Sequence, residues 1–432
     1  MNSLSLNDNI IKRSEKYFTF VMLLYALFFL ALVTLNFLIP PSSDIVIFQL
    51  VSCFSSIFFF IVGLRFDKNS LFVWITLFHI LILFHIYLLD IADQPEDYFF
   101  YKLHAENTLN LSAGQVWNYY NNLDLDISDR GYSFFLYYLY RLFGREWGDL
   151  FVIVVKLILN IWVCFFIWKL SLLVFGKNVA KIVLLLWGIN IYSVYFESSG
   201  LKESVFVFFT TAASYYLYLL TGKIKFQWLL LFILFIVFTI FFRVYVTIFF
   251  VLSFIGYFIF RRLYVTYFAL FCIFLYVIIF IGTTLIVMVV PEVKGFLIER
   301  EDVYSGLVGN TLNVINAFIG PYPAFRYSDQ LVNLQTSFFA VFKLSFSLFA
   351  ILGIVYSIHN KLYRLYPVIN VVIYNMLLTI ISGFSLNYRY MHITMPLFFM
   401  FIPYGISCCY RKWLICIYLI AGFILTFLYN TR

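Results

Sequence analysis

Apolar runs of about 20 residues, each long enough to cross a bilayer core as a helix, recur along almost the whole of this chain. They fall at 17–39, 45–64, 71–90, 149–175, 181–197, 203–220, 227–242, 244–260, 263–290, 337–357, 366–384, 393–410 and 413–429. Composition agrees: 64% of residues are hydrophobic and 12% charged, against about 25% charged in soluble domains. The expected fold is therefore all-α: a polytopic transmembrane helical bundle of about 11–13 spans, with residues 1–432 forming a single integral membrane domain. Connections near 197–203 and 242–245 are very short, which leaves room for a re-entrant or broken helix.

The basic residues orient the bundle. Lys12, Arg13 and Lys16 precede the first run, and the opening MNSLSLNDNIIKRSEKYFTF reads as the start of an uncleaved first helix. With that end cytoplasmic, every second connection carries a basic pair: Arg65 and Lys68, Lys177 and Lys181, Lys223 and Lys225, Arg261 and Arg262, Lys361 and Arg364, Arg411 and Lys412. This is the asymmetry expected of short cytoplasmic loops. The net charge of +8 is thus a topology signal, and no nucleic-acid partner is expected.

Two of the remaining connections are long, 91–148 and 291–336, and are expected to form periplasmic loops carrying short amphipathic helices at the membrane surface. YSFFLYYLYRLF at 132–143 is the best such helix. The first loop opens on a group of carboxylates, Asp93, Glu96 and Asp97, followed by Tyr98 and Tyr101. A carboxylate at a low-dielectric boundary is suited to general-base work on a hydroxyl. The same residues also serve as a solvated acidic face that keeps the loop outside.

Lys202, Arg243 and Arg389 stand out because they fall in short connections on the non-cytoplasmic side, against the charge rule. Two accounts stay open. They anchor to lipid phosphates or pair with Glu197 and Glu203; or they form an anion site, since a guanidinium fork matches phosphate oxygens and a lysine adds a point charge. The turn GPYPAFRY at 320–327 adds aromatic faces and a further cation, so Tyr322 and Arg326, with Tyr98, Tyr101 and Tyr390, are candidates for sugar contacts. The six cysteines lie in apolar runs without ligand spacing, and the five histidines form no metal motif. No structural metal or cofactor is expected, although a divalent cation at the acidic group is compatible with the chemistry. His79 and His85 read as packed or interfacial histidines.

In order along the chain stand PEDYFFYKLHAE, RGYSFFLYYLYRLFG, SSGLKES, FFRVYV, GPYP and YRYMHITMP. This order of landmarks, over about residues 90–400, resembles bacterial surface-polysaccharide proteins: O-antigen or capsule polymerases and the related GT-C-like polytopic glycosyltransferases. The resemblance implies glycosyl transfer on the periplasmic face of the inner membrane from a polyprenyl-linked donor. It implies that Asp97, Glu96 and Asp93 are the catalytic acidic group and that Lys202, Arg243 and Arg389 hold phosphate. One departure is clear. GT-C enzymes carry their acidic motif after the first span, whereas here the first outer connection is only PPSSD and the acidic stretch follows the third run.

The expected function is an O-antigen or capsule repeat-unit polymerase using polyprenyl-diphosphate-linked oligosaccharide. The alternatives are a GT-C transferase using a polyprenyl-phosphate sugar, or a flippase or transporter of lipid-linked oligosaccharide. Partners would be the lipid-linked saccharide, membrane lipids, and a flippase and chain-length regulator of the same system. Transporters generally need charges in mid-span and broken helices; Lys156 and Lys169 are the nearest to such charges in this sequence.

Overall fold

A computed structural model describes residues 43–89, 95–123, 127–260, 331–381, 388–409, 413, 416–422 and 424. The described residues are helical throughout, without strands. Four helices are long and apolar enough to cross a membrane, or five when one bent pair is taken as a single span. Several such helices are consistent with a multi-pass membrane protein. The runs at 17–39 and 263–290, together with Asp93, Tyr322 and Arg326, lie outside the described residues.

Helices α1 (Ser43–Gly63) and α2 (Lys68–Leu88) form a hairpin. Asp67 caps α2 by accepting the Ser70 amide at 3.1 Å. The indole of Trp74 donates to the Phe59 carbonyl at 2.8 Å and stacks on the Phe59 ring. The polar segment that follows folds into α3 (Glu96–Asn107), α4 (Ala113–Asn122) and α5 (Ile127–Phe143). Helix α5 is amphipathic as expected, but its inward face is packed: Tyr132, Leu136, Tyr137 and Tyr140 are buried, and the helix contacts both α3 and α6 (Arg145–Phe175).

Helix α6 runs on into α7 (Lys177–Gly188), α8 (Ile191–Ser198), α9 (Glu203–Gly222), α10 (Phe226–Ile240) and α11 (Val244–Phe260). The run at 181–197 is not one straight helix. It breaks between α7 and α8 with a bend of 46°. Asn190 explains the restart, because its side chain accepts the Tyr192 amide at 3.1 Å and caps the new helix.

The C-terminal part contains α12 (Leu331–His359), α13 (Tyr366–Ile381) and the short helices α14 (Tyr388–His392), α15 (Met395–Phe399) and α16 (Ile402–Cys408). The run at 393–410 is therefore also interrupted: Pro396 and Pro403 sit at helix starts, where a missing amide is tolerated. Helices α12 and α16 approach closely at Gly353 and Gly405. A Cβ at either would collide with backbone carbonyl of the other helix, Phe401 and Phe349 respectively.

Candidate functional site

The site is built from the ends of helices. Pro95 precedes α3 with φ at −60°, ready for a helix start, and Glu96 and Asp97 occupy the first turn, where the helix dipole favours negative charge. On this helix Tyr98, Tyr101 and Ala105 point inward, while Glu96, Phe99 and Leu103 are exposed.

Lys202 and Glu203 are delivered by the tight turn between α8 and α9. Gly200 there has φ +67°, a left-handed conformation that glycine adopts without strain. A Cβ at that position would also strike the Tyr98 ring. The Gly200 carbonyl accepts a hydrogen bond from the Tyr132 hydroxyl, which ties the turn to α5. Arg243 lies in the turn between α10 and α11, and its amide donates to the Thr239 carbonyl at 2.8 Å. Gly131 of α5 packs directly on the Phe241 backbone beside it. Arg389 comes from α14.

Four carboxylates organise these groups. Glu203, fully buried, accepts from Arg389 Nε at 3.0 Å and from Arg243 Nη2 at 3.4 Å, both on Oε1. Its Oε2 is buried and has no hydrogen-bond partner among the described residues. Arg389 Nη1 also donates to Asp97 Oδ2 at 2.6 Å. The Arg243 guanidinium lies 4.1 Å from the centre of the Tyr390 ring, a cation–π contact. Burial works against the charge of Arg389, but the adjacent Glu203 and Asp97 outweigh it and raise its pKa.

Asp129, in the first turn of α5, accepts from Lys202 Nζ at 2.8 Å and from the Tyr101 hydroxyl at 3.0 Å. Lys202 also lies 5.3 Å from the centre of the Tyr101 ring. Burial pushes the Lys202 ammonium below the ordinary lysine range, with Asp129 opposing. The fourth carboxylate, Asp149, accepts from Lys102 Nζ at 2.6 Å and from the hydroxyls of Tyr98 and Tyr140.

The structure thus brings Asp97, Lys202, Arg243, Arg389 and Tyr390 into one cluster, from segments as far apart as 292 residues. Glu96 is exposed and makes none of its contacts. Tyr98 and Tyr101 are buried, with their hydroxyls committed to Asp149 and Asp129. Glu203, expected only as a pairing partner, is the centre of the cluster. Asp129, which holds Lys202, was not expected in it, and Asp149 binds Lys102, Tyr98 and Tyr140 rather than a cation of the cluster; the lysine partners of the two lie 73 and 47 residues away, beyond any local spacing. Among the described residues no group of three or more histidines, cysteines and acids is arranged to hold a metal ion.

The three cations are matched by carboxylates, Lys202 by Asp129, Arg243 by Glu203 and Arg389 by Glu203 and Asp97. Of these carboxylates Asp97 is the half-exposed one, on one arm of Arg389. No family model, no curated protein and no solved structure matches the chain.

Proposed function

We propose that the protein is a membrane glycosyltransferase of bacterial surface-polysaccharide biosynthesis, acting as a polymerase of repeat units carried on polyprenyl diphosphate. The reading rests on the convergence of Lys202, Arg243 and Arg389 beside the acidic start of α3. In it the protein lies in the inner membrane with a cytoplasmic N-terminus and about 11–13 spans, and the cluster faces the periplasm. The acceptor hydroxyl oxygen forms a bond to the anomeric carbon. The bond from that carbon to the diphosphate oxygen breaks, and its electron pair stays on the leaving phosphate. The three cations stabilise that charge, with Asp97 giving way to it on Arg389. The hydroxyl proton goes to a carboxylate of the group Asp93, Glu96 and Asp97.

The test is a gel of surface polysaccharide from cells lacking the gene, complemented with wild type, Arg243→Ala, Arg389→Ala or Asp97→Asn. We expect the deletion to leave core bearing one repeat unit and the arginine variants to fail to restore the ladder. A full ladder from both arginine variants would remove the phosphate assignment. Loss of even the single unit in the deletion would overturn the polymerase reading.

A second reading, a transporter of lipid-linked oligosaccharide, is favoured by one observation. The bent pair α7–α8 lies beside His79, Lys156 and Glu197, all fully buried. These are the broken helix and internal charges that transport folds use. Absence of even the single repeat unit in the deletion strain is its expected outcome.

A further inference from the structure

Between α10 and α11 the chain turns back before it has crossed a bilayer. Helix α10 has 15 residues and α11 has 17. At 1.5 Å per residue they reach about 22 and 25 Å, against about 30 Å of hydrocarbon. The far end of α10 is marked by Lys223 and Lys225, both exposed, and the Lys225 ammonium lies 4.6 Å from the centre of the Trp228 ring. Exposed lysines beside an indole belong at headgroup level. Counted from there, the turn that holds Phe241 and Arg243 stops several ångströms short of the opposite headgroups.

The helices of the polar segment rest on that turn. A Cβ on Gly131 of α5 would strike the Phe241 carbonyl, and the Trp117 indole of α4 meets the Phe241 ring edge-on with centroids 6.0 Å apart. Helix α5 is also held against the start of α6: a Cβ on Gly148 would strike the Tyr140 ring, and Phe143 stacks on Phe151. At that depth the outer side of the segment adjoins hydrocarbon rather than water.

This outer side is apolar to match. On α6, Leu150, Val154, Ile158 and Trp162 are exposed at every fourth position, the stripe that a spanning helix turns to lipid. Trp147 and Leu142, the latter 72% exposed, carry the stripe round the corner onto α5. Arg145 donates to the Glu106 carbonyl at 3.3 Å, which brings α3 alongside, and on α3 Phe99 and Leu103 are exposed one turn apart.

Two cations rim the patch. Arg141 and Arg145 are exposed. Arg141 donates to the Leu111 carbonyl at 3.1 Å and to the Tyr137 hydroxyl. Neither guanidinium enters an ion pair among the described residues. Each has five N–H donors, so both have donors left over. Of the nearby carboxylates, Glu106 pairs with Lys102 at 3.9 Å, and Glu146 occupies the first turn of α6, where the helix dipole holds it. Aromatic and aliphatic groups with a basic rim are the composition of helices that lie in a bilayer interface.

We propose that the outer side of α3 and α5 is a lipid-binding surface sunk into the bilayer. Acyl chains lie against Phe99, Leu103, Leu142 and Trp147, and the phosphate of an anionic lipid sits on Arg141 and Arg145. The surface stands apart from the glycosyl-transfer reading, since it needs no substrate in the cluster. The test uses the full chain in lipid nanodiscs, in a cysteine-free background with one nitroxide at a time, attached through Phe99→Cys or Leu142→Cys. Ile158→Cys is the lipid reference and Lys223→Cys the water reference. Collision with oxygen, which concentrates in hydrocarbon, is compared with collision with a water-soluble nickel chelate. We expect both labels to resemble the lipid reference and to lie about 5–10 Å below the headgroups. Collision mainly with the nickel chelate would overturn the proposal by placing the surface in water. A label screened from both reagents overturns it too, because protein, from this chain or a second copy, then covers the surface. The headgroup contact is read by mass spectrometry of lipid retained after purification from mixed phosphatidylglycerol and phosphatidylcholine. Arg141→Gln with Arg145→Gln is expected to lower the retained ratio of the anionic lipid by about twofold or more, and an unchanged ratio overturns the role of the two arginines.

Discussion

At Glu203 one buried oxygen serves two arginines, and this residue dominates the electrostatics of the cluster. Removing one partner of a buried ion pair leaves an uncompensated charge and costs about 3–5 kcal/mol. Asp97, with its side chain 47% exposed, is in the other regime, where a pair contributes about 1 kcal/mol or less. Glu203→Gln is therefore expected to lower the thermal midpoint of detergent-solubilised protein sharply, and Asp97→Asn to change it little. Equal shifts in the two variants would show that burial does not separate their roles. The same contrast separates their roles: Glu203 holds the two arginines in place from within the bundle, and Asp97 is the water-accessible partner of Arg389.

At the scale of elements, packing is set by positions where a side chain is missing. Gly353 of α12 and Gly405 of α16 let two backbones meet, and each would place a Cβ onto a carbonyl of the other helix. Helix association in a membrane depends on such close contact, because lipid tails are as apolar as the helices themselves. Gly405→Ala should force α16 away from α12 and destabilise the chain by about 1–3 kcal/mol, the range for overpacking. The comparison is Gly114→Ala, where a Cβ meets nothing. Thermal unfolding of the two variants side by side checks this, and a Gly405→Ala midpoint equal to that of Gly114→Ala would refute the close crossing. The interruptions at 189–190 and 394–403 belong to this scale too. An Asn cap and two prolines break runs whose hydropathy alone reads as continuous.

At the scale of the whole molecule, the N-terminal and C-terminal parts pack along several helices, and one ion pair reports on that packing directly. Asp97 and Arg389 are 292 residues apart in sequence and 2.6 Å apart at their charged atoms. In a cysteine-free background, Asp97→Cys with Arg389→Cys should be joined by a short bifunctional maleimide, read as altered gel mobility. Glu96→Cys with Arg389→Cys should react less, since Glu96 is exposed and outside the cluster. Equal cross-linking of the two pairs would contradict the geometry.

Helical class, the positions of most long helices and the amphipathic character of α5 were legible in the sequence. Each follows from local periodicity and from the length an apolar run must have. The unusual cations were legible as well, because a charge in a short connection against the topology rule is visible without coordinates. Their partners were not. Asp129, Asp149, and Glu197 as partner of His79 reach their contacts over 73, 47 and 118 residues, and no local pattern encodes such a pairing. Sequence alone determined that Lys202, Arg243 and Arg389 require compensation; the tertiary structure decided that Asp129, Glu203 and Asp97 supply it. The physical reason is range: hydropathy and helix periodicity act over a few residues of chain, whereas the compensation of a buried charge is settled by whichever groups the packed helices bring within a few ångströms.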